Sequence, residues 1–322
     1  MFSLSVPSKT FLIGEYGALK GGPALLLATP PRFVLKSSLC LGANCKRTGL
    51  EGGGPASRLL KDPAYNDYEF HFHDPHGGRG GLGASSAQFL LLHAFYNWLK
   101  FQPTRADRLL GAYRDAVQSQ TEIMPSGYDV LAQFRGGLSF IHWKKSQFES
   151  VEWSLSDLDV ILVRGPLKVA THVHLRDLKL GDTAEFESLA WKAFDSIRYK
   201  KPEQFVESIN EFSRVLQKNK LTVPESLEFQ RRIQAIPGVL AVKGCGALGA
   251  DVILAVVKVK DREKIVSQLR NEKFEIVSKL SDKSAGLKVD EMSHDELQSK
   301  FESELTSFRE EQAGNVPHDV VS

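Results

Sequence analysis

Cysteine and methionine are scarce: each occurs three times in 322 residues. Cys40, Cys45 and Cys245 are too few, and odd in number, for a disulfide framework. Cys40 and Cys45 also lack the second ligand pair that tetrahedral zinc requires. All three are expected to be reduced thiols of a cytoplasmic protein. Neither sign of charge is in excess, with 41 Lys and Arg against 39 Asp and Glu and a formal net charge of +2. That balance gives no reason to expect nucleic acid or an anionic membrane surface as partner, and an anionic small ligand would need only a local cluster of donors. No apolar run reaches the roughly 20 residues that span a bilayer. The start, Met1 to Lys9, has no basic segment leading into a long apolar one, so no signal peptide is expected.

What is present is an ordinary globular composition, 42% hydrophobic, over a length that suggests about two domains. Alternation predicts short strands near Phe2–Val6 and Phe11–Ile13, then Ala24–Ala28 and Phe33–Leu39, with Phe70–His73 as an edge strand. Leu41–Pro55, rich in glycine and small polar residues, reads as a loop. Ser85–Leu99 is apolar almost all round and should be a buried helix. A second helix is expected over Thr104–Thr121, and a short one over Asp129–Phe134 that ends at Gly136-Gly137. Leu138–Trp143 and Asp159–Val163 read as strands. Three amphipathic helices follow over Ala184–Tyr199, Pro202–Lys218 and Pro224–Ala235. A strand pair, Val239–Lys243 and Asp251–Val257, then precedes a helix over Arg262–Asn271 and a strand over Glu275–Leu280. Composition shifts within Leu155–Asp182, which suggests a domain boundary there. The tail after Asp290 is dense in charge and reads as a solvated helix or a disordered segment.

Three segments have the residue types of a chemical site. Gly80-Gly81-Leu82-Gly83-Ala84-Ser85-Ser86-Ala87 opens the buried helix. Its glycines let backbone N–H groups approach an anion, and the helix start adds free donors and a positive dipole end. No Gly-Lys-Ser/Thr follows, so it is not a Walker loop, and no clean βαβ unit surrounds it as a dinucleotide fingerprint would need. Met124-Pro125-Ser126-Gly127-Tyr128-Asp129 is a turn that would present Asp129 at the start of a new element, as a base, a metal ligand or simply a cap. Lys243-Gly244-Cys245-Gly246-Ala247-Leu248-Gly249-Ala250-Asp251 is a second loop of small residues, between two strands. Lys9 lies between predicted strands in Pro7-Ser8-Lys9. His71, His73 and His76 have the spacing of an edge strand running into a loop, no carboxylate cluster joins them, and they read as structural or solvent-facing.

In this order the segments resemble the GHMP kinase superfamily, which includes galactokinase, homoserine kinase, mevalonate kinase and phosphomevalonate kinase. Pro7-Ser8-Lys9 with Gly14-Glu15-Tyr16 is similar to the family's first motif, Gly81–Ser86 to its second, Pro125–Asp129 to the Pro-Ser-Gly-x-Asp of mevalonate kinases, and Gly246–Asp251, loosely, to the third. The resemblance implies an α+β, two-lobed fold: an N-terminal ATP-binding lobe over 1–160, a C-terminal ferredoxin-like lobe over 161–290, and a charged tail over 291–322. It implies ATP and Mg²⁺ as cofactors. Gly81, Leu82, Gly83, Ala84, Ser85 and Ser86 would hold the phosphates, with Ser85 as a metal ligand. Lys9 and Asp129 would be catalytic, and Glu15, Tyr16, Ser126, Gly127, Gly246 and Ala247 would line the acceptor site. The expected partner is a small-molecule substrate, with no nucleic acid and no membrane, in a chain that could form a homodimer.

Departures from the family pattern are specific. Ala84 replaces a serine, Leu248 and Ala250 replace glycines, and Gln118 stands where mevalonate kinases have a metal-binding glutamate, with Glu122 on a different helical face. Mevalonate is the first choice of acceptor. Phosphomevalonate is the alternative, and it would require extra cations, for which Arg135, Lys144, Lys168, Arg176 and Lys243 are candidates. A catalytically silent nucleotide-binding relative is the reading from a different class. The presence of both Lys9 and Asp129 speaks against it.

Overall fold

The computed structural model describes residues 2–40, 45–50, 53–117, 124–166 and 181–290. It is an α+β structure built on two sheets. The larger one contains β1 (Phe2–Ile13), β2 (Pro23–Leu39), β3 (Arg47–Thr48), β4 (Tyr68–His73), β5 (Leu138–His142), β6 (Gln147–Val151) and β11 (Lys288–Asp290), with spatial order β11-β1-β2-β4-β3. β2 forks: Pro23–Leu27 pairs with β5, while Val34–Leu39 pairs with β4. The smaller sheet is antiparallel throughout, in the order β10-β7-β9-β8, from β7 (Leu158–Arg164), β8 (Val239–Cys245), β9 (Val252–Lys258) and β10 (Ile276–Lys279).

Two pairs of expected strands are single strands. β1 runs through Pro7, where the register against β2 shifts between Pro7 and Ser8 and the ladder does not end. Proline has no N–H to donate, and here the pairing passes over Pro30 and Pro31 of β2, from Pro7 opposite Arg32 to Ser8 opposite Thr29. β4 is not an edge strand, because Arg47 and Thr48 pair with Phe70 and His71, inside the segment expected to be a loop.

Helix α1 (Glu15–Leu19) follows β1, and α2 (Pro55–Leu59) follows β3. α3 (Ala84–Leu99), as its composition predicts, is buried from Ser86 to Leu92. It packs beside β1, β2, α2, α4 (Ala106–Val117) and α5 (Tyr128–Arg135). Gln118 and Glu122 lie outside the described residues, as does the tail after Asp290. The three expected amphipathic helices are α6 (Ala184–Arg198), α7 (Pro202–Lys218) and α8 (Pro224–Gln234), and the last helix is α9 (Arg262–Asn271).

The core that positions the site lies between the sheets. Phe186, Leu189, Phe194 and Ile197 of α6 and Phe205, Ile209 and Phe212 of α7 recur at helical spacing. They meet Leu25, Leu27 and Phe140 from the large sheet and Val160, Leu162 and Leu254 from the small one. Each such buried side chain contributes about 1.5–3 kcal/mol. One continuous apolar cluster therefore joins both sheets.

The cysteine expectation is corrected. Cys40 and Cys45 form a disulfide, and the Cys45 sulfur also lies against the Cys40 carbonyl. Cys245 alone is a free, buried thiol. The five-residue separation is a local closure, which a count of cysteines does not reveal.

Candidate active site

Lys9 occupies the middle of β1, and its backbone N–H donates to the Leu82 carbonyl at 3.0 Å. Its ammonium lies 2.8 Å from Asp129 Oδ1, with Lys9 8% and Asp129 34% exposed. Asp129 Oδ1 accepts no aligned hydrogen bond there, so the contact is Coulombic and the carboxylate keeps its lone pairs for another donor. Asp129 sits in the first turn of α5, where the helix dipole favours a negative charge. Gly127 caps that helix at φ 74°, and a Cβ there would collide with Leu110 Cδ1. The Ser126 hydroxyl accepts the Tyr128 N–H at 3.3 Å, so the Pro-Ser-Gly turn holds itself in shape.

The glycine-serine loop reaches this pair from the other side. Gly81 has φ 77° and Gly83 φ 95°. A Cβ on Gly83 would lie 2.8 Å from Gln133 Nε2 and 3.1 Å from Lys9 Cγ, so only glycine allows the loop to close on Lys9. Leu82, 1% exposed, plugs the loop into the central core. Among the described residues, no hydrogen bond uses the N–H of Leu82, Gly83, Ala84 or Ser85. Four donors are thus left over at the positive end of α3, where a helix start favours an anion.

The two serines differ. Ser86 is 2% exposed, and its hydroxyl lies 2.9 Å from Gly83 O and 2.7 Å from Gln133 Oε1. Ser85 is exposed, and no hydrogen bond among the described residues uses its hydroxyl. A serine hydroxyl is a hard oxygen donor of the kind that Mg²⁺ takes alongside phosphate oxygens and water, so Ser85 fits that ion. Among the described residues no cluster of three His, Cys, Asp or Glu could hold a metal without such additional ligands.

Gln133, which sequence reasoning missed, is fully buried. Its amide donates to Pro7 O at 3.0 Å and Gly83 O at 3.1 Å, tying β1, α5 and the loop together. Its one signal is spacing: it stands four residues after Asp129 and so shares that face of α5.

The third small-residue loop packs behind the second. A Cβ on Gly81 would collide with Asp251, and one on Gly246 with the Asp251 carboxylate. Leu248, where the family pattern has glycine, adopts φ 53°. Glu15 and Tyr16 serve this loop. Glu15 forms an ion pair with Lys243, the two side chains being 10% and 0% exposed. Burial pushes the Lys243 ammonium down, but Cys245 and Glu15 outweigh it and hold the group above the usual lysine range. The Tyr16 hydroxyl, raised chiefly by burial, lies at the Leu248 backbone. The structure therefore brings Lys9, Asp129 and Gly83 to one place, sets Ser85 two residues on in the first turn of α3, and anchors Glu15 and Tyr16 to the third loop and the strand before it.

No family model matches the chain, and no curated protein matches it. Solved structures do. Phosphomevalonate kinase of Streptococcus pneumoniae, in complex with phosphomevalonate and AMPPNP, superposes with a TM-score of 0.71 at 13% identity, over 87% of this chain and 99% of that one. Galactokinase of Lactococcus lactis, complexed with galactose, gives a TM-score of 0.71 at 15% identity, over 90% and 95%. Mevalonate kinase of Methanococcus jannaschii gives 0.65 at 14%, over 86% and 97%. All three are members of the GHMP kinase superfamily. The chain has the GHMP kinase fold. Among the described residues no helix is long and apolar enough to cross a membrane.

Proposed function

We propose that this chain is an ATP-dependent small-molecule kinase that transfers the γ-phosphoryl group of ATP to a hydroxyl, with mevalonate as the first-choice acceptor. The observation that carries the reading is the Lys9–Asp129 pair beside a helix-opening loop with four free N–H donors. Phosphoryl transfer is chiefly positioning and electrostatics. The loop and the α3 N-terminus would hold the phosphates, and Ser85 would help hold Mg²⁺, which supplies charge neutralisation when bound. Asp129 would take the acceptor hydroxyl's proton as its oxygen bonds to the γ-phosphorus and ADP departs. Lys9 would balance the charge that develops on the moving group. The AMPPNP in the Streptococcus pneumoniae structure is consistent with this role for the cradle.

An observation favours an unphosphorylated acceptor. Three of the five candidate cations are already engaged. Lys243 is paired with Glu15, and Lys144 with Glu187 at 3.2 Å. Arg135 stacks on Phe148 at 3.9 Å and donates to its carbonyl at 3.2 Å. Lys168 and Arg176 lie outside the described residues. Phosphomevalonate remains the alternative acceptor.

The test is ADP release from Mg-ATP by the purified chain, with mevalonate and phosphomevalonate in parallel and homoserine and galactose as controls. Turnover with mevalonate is expected. Turnover with phosphomevalonate alone would reverse the acceptor assignment. ATP binding with no turnover on any acceptor would favour the silent relative.

A further inference from the structure

His76 stands four residues before the glycine-serine loop and is 4% exposed, unlike the exposed His71 and His73. Its ring is held at both nitrogens. Nε2 lies 2.6 Å from Ser8 Oγ, and Nδ1 lies 3.1 Å from Arg164 Nη2. The protons can be assigned. A guanidinium only donates, so Nδ1 accepts and Nε2 carries the hydrogen. The Ser8 hydroxyl accepts that hydrogen and passes its own to Pro31 O at 2.6 Å. The edge of the ring meets Phe33 at 5.5 Å.

The charged groups around the ring come from every neighbouring element. Asp74, in the same connection, accepts the His76 N–H at 2.8 Å. Arg79 donates to the His76 carbonyl at 3.1 Å. Arg164 closes β7, and Glu275, just before β10, takes Arg79 at 2.5 and 3.0 Å and Arg164 at 3.4 Å. Burial first, then Arg164, hold the imidazole down at about 4, so it is neutral, as the two hydrogen bonds require.

This places His76, ahead of the loop, and Leu82, within it, on consecutive residues of β1. His76 grips Ser8 through its side chain, and Leu82 grips the Lys9 N–H through its carbonyl. We propose that His76 is a positioning residue for nucleotide binding: by linking Ser8 on β1 to Arg164 on β7, it fixes the phosphate cradle relative to Lys9. The inference rests on the kinase reading above and deepens it. His76 touches neither nucleotide nor acceptor in this role. Its loss would let the cradle drift while leaving Lys9 and Asp129 chemically intact.

The test is calorimetric titration of Mg-ATP into the full-length wild type, His76→Ala, His76→Gln and Ser8→Ala, with a melting curve for each and the acceptor KM alongside. His76→Ala should raise the ATP Kd about tenfold, which corresponds to one buried hydrogen bond to a charged partner, while the acceptor KM stays within about twofold. Glutamine carries both a donor and an acceptor, so His76→Gln should recover most of the loss, and Ser8→Ala should fall between the two. Wild-type ATP affinity in a folded His76→Ala, or His76→Gln binding no better than alanine, would overturn the proposal alone. A wild type that does not bind Mg-ATP would remove the kinase reading, and this inference with it.

Discussion

The molecule contains two lysine–carboxylate pairs at its motifs, and they differ in what surrounds them. Lys243 and Glu15 are sealed, 0% and 10% exposed, between β8 and α1. Lys9 and Asp129 meet with the carboxylate 34% exposed. A sealed pair cannot exchange partners without stranding a charge in the core, so its use is to join elements. A pair with one open side can release its carboxylate to a substrate proton at little cost. The same two functional groups thus make a fastener in one place and, on the proposed kinase reading, a reaction centre in another, and burial separates the two.

The comparison can be broken most severely at the fastener. Lys243→Met should destabilise the protein by about 3–5 kcal/mol, because Glu15 keeps a buried and uncompensated charge. Adding Glu15→Gln should recover a large part of that loss. Denaturant unfolding of the three variants checks both statements, and equal stability of single and double variants would contradict them.

At the reaction centre the order reverses. Lys9→Met and Asp129→Asn should each lower kcat at least about a hundredfold, the range for a positioned proton-transfer group. Lys9→Met should change stability by less than about 1 kcal/mol, because the carboxylate left behind is open to solvent, whereas Asp129→Asn leaves the buried Lys9 ammonium without its partner and should cost more. ADP release and urea melts on the same preparations would separate the two effects, and near-normal turnover in either variant would remove the catalytic assignment.

A smaller effect sharpens the contrast through pH. His76 is held neutral down to about 4 in the folded chain, against an ordinary value of 6.5. Between those values the unfolded chain binds the proton and the folded one does not. Stability should therefore fall as pH drops from about 6.5 towards about 4, by on the order of 2 kcal/mol. Thermal melts in that window should show a shallower decline for His76→Gln than for the wild type.

Much of this was legible in the residues. An apolar stretch located α3, which is buried nearly all round, and periodicity located the helices of residues 184–235, because their burial patterns follow the helical repeat. The motifs located Lys9, Asp129 and the loop, because glycine is needed wherever backbone must approach backbone, as Gly83 does beside Lys9. What escaped depends on contacts distant in sequence. The roles of Gln133 and His76 come from partners on β1 that no local pattern announces. Lys243 looked like a free cation until Glu15, 228 positions away, was seen to neutralise it. The Cys40–Cys45 pairing was missed because three cysteines in a long chain carry no framework signal.

The last described strand has a consequence for how the chain is divided. β11 lies on β1, with Ser3 opposite Asp290 and Ser5 opposite Lys288. The residues leading to it are laced across the large sheet: Ser284 N–H to Ala28 O at 2.9 Å, Leu287 N–H to Phe134 O at 3.0 Å, and Arg32 to Gly286 O at 2.6 Å. The chain leaves the first sheet, builds the second, and returns to finish what it began. A fragment cut after the first sheet would expose β1 as a bare ladder of donors and acceptors that invites other chains to pair. Synthesis must therefore reach residue 290 before the large sheet has its full hydrogen-bonded border, so the strand that presents Lys9 gains its outer neighbour only from residues made long after it.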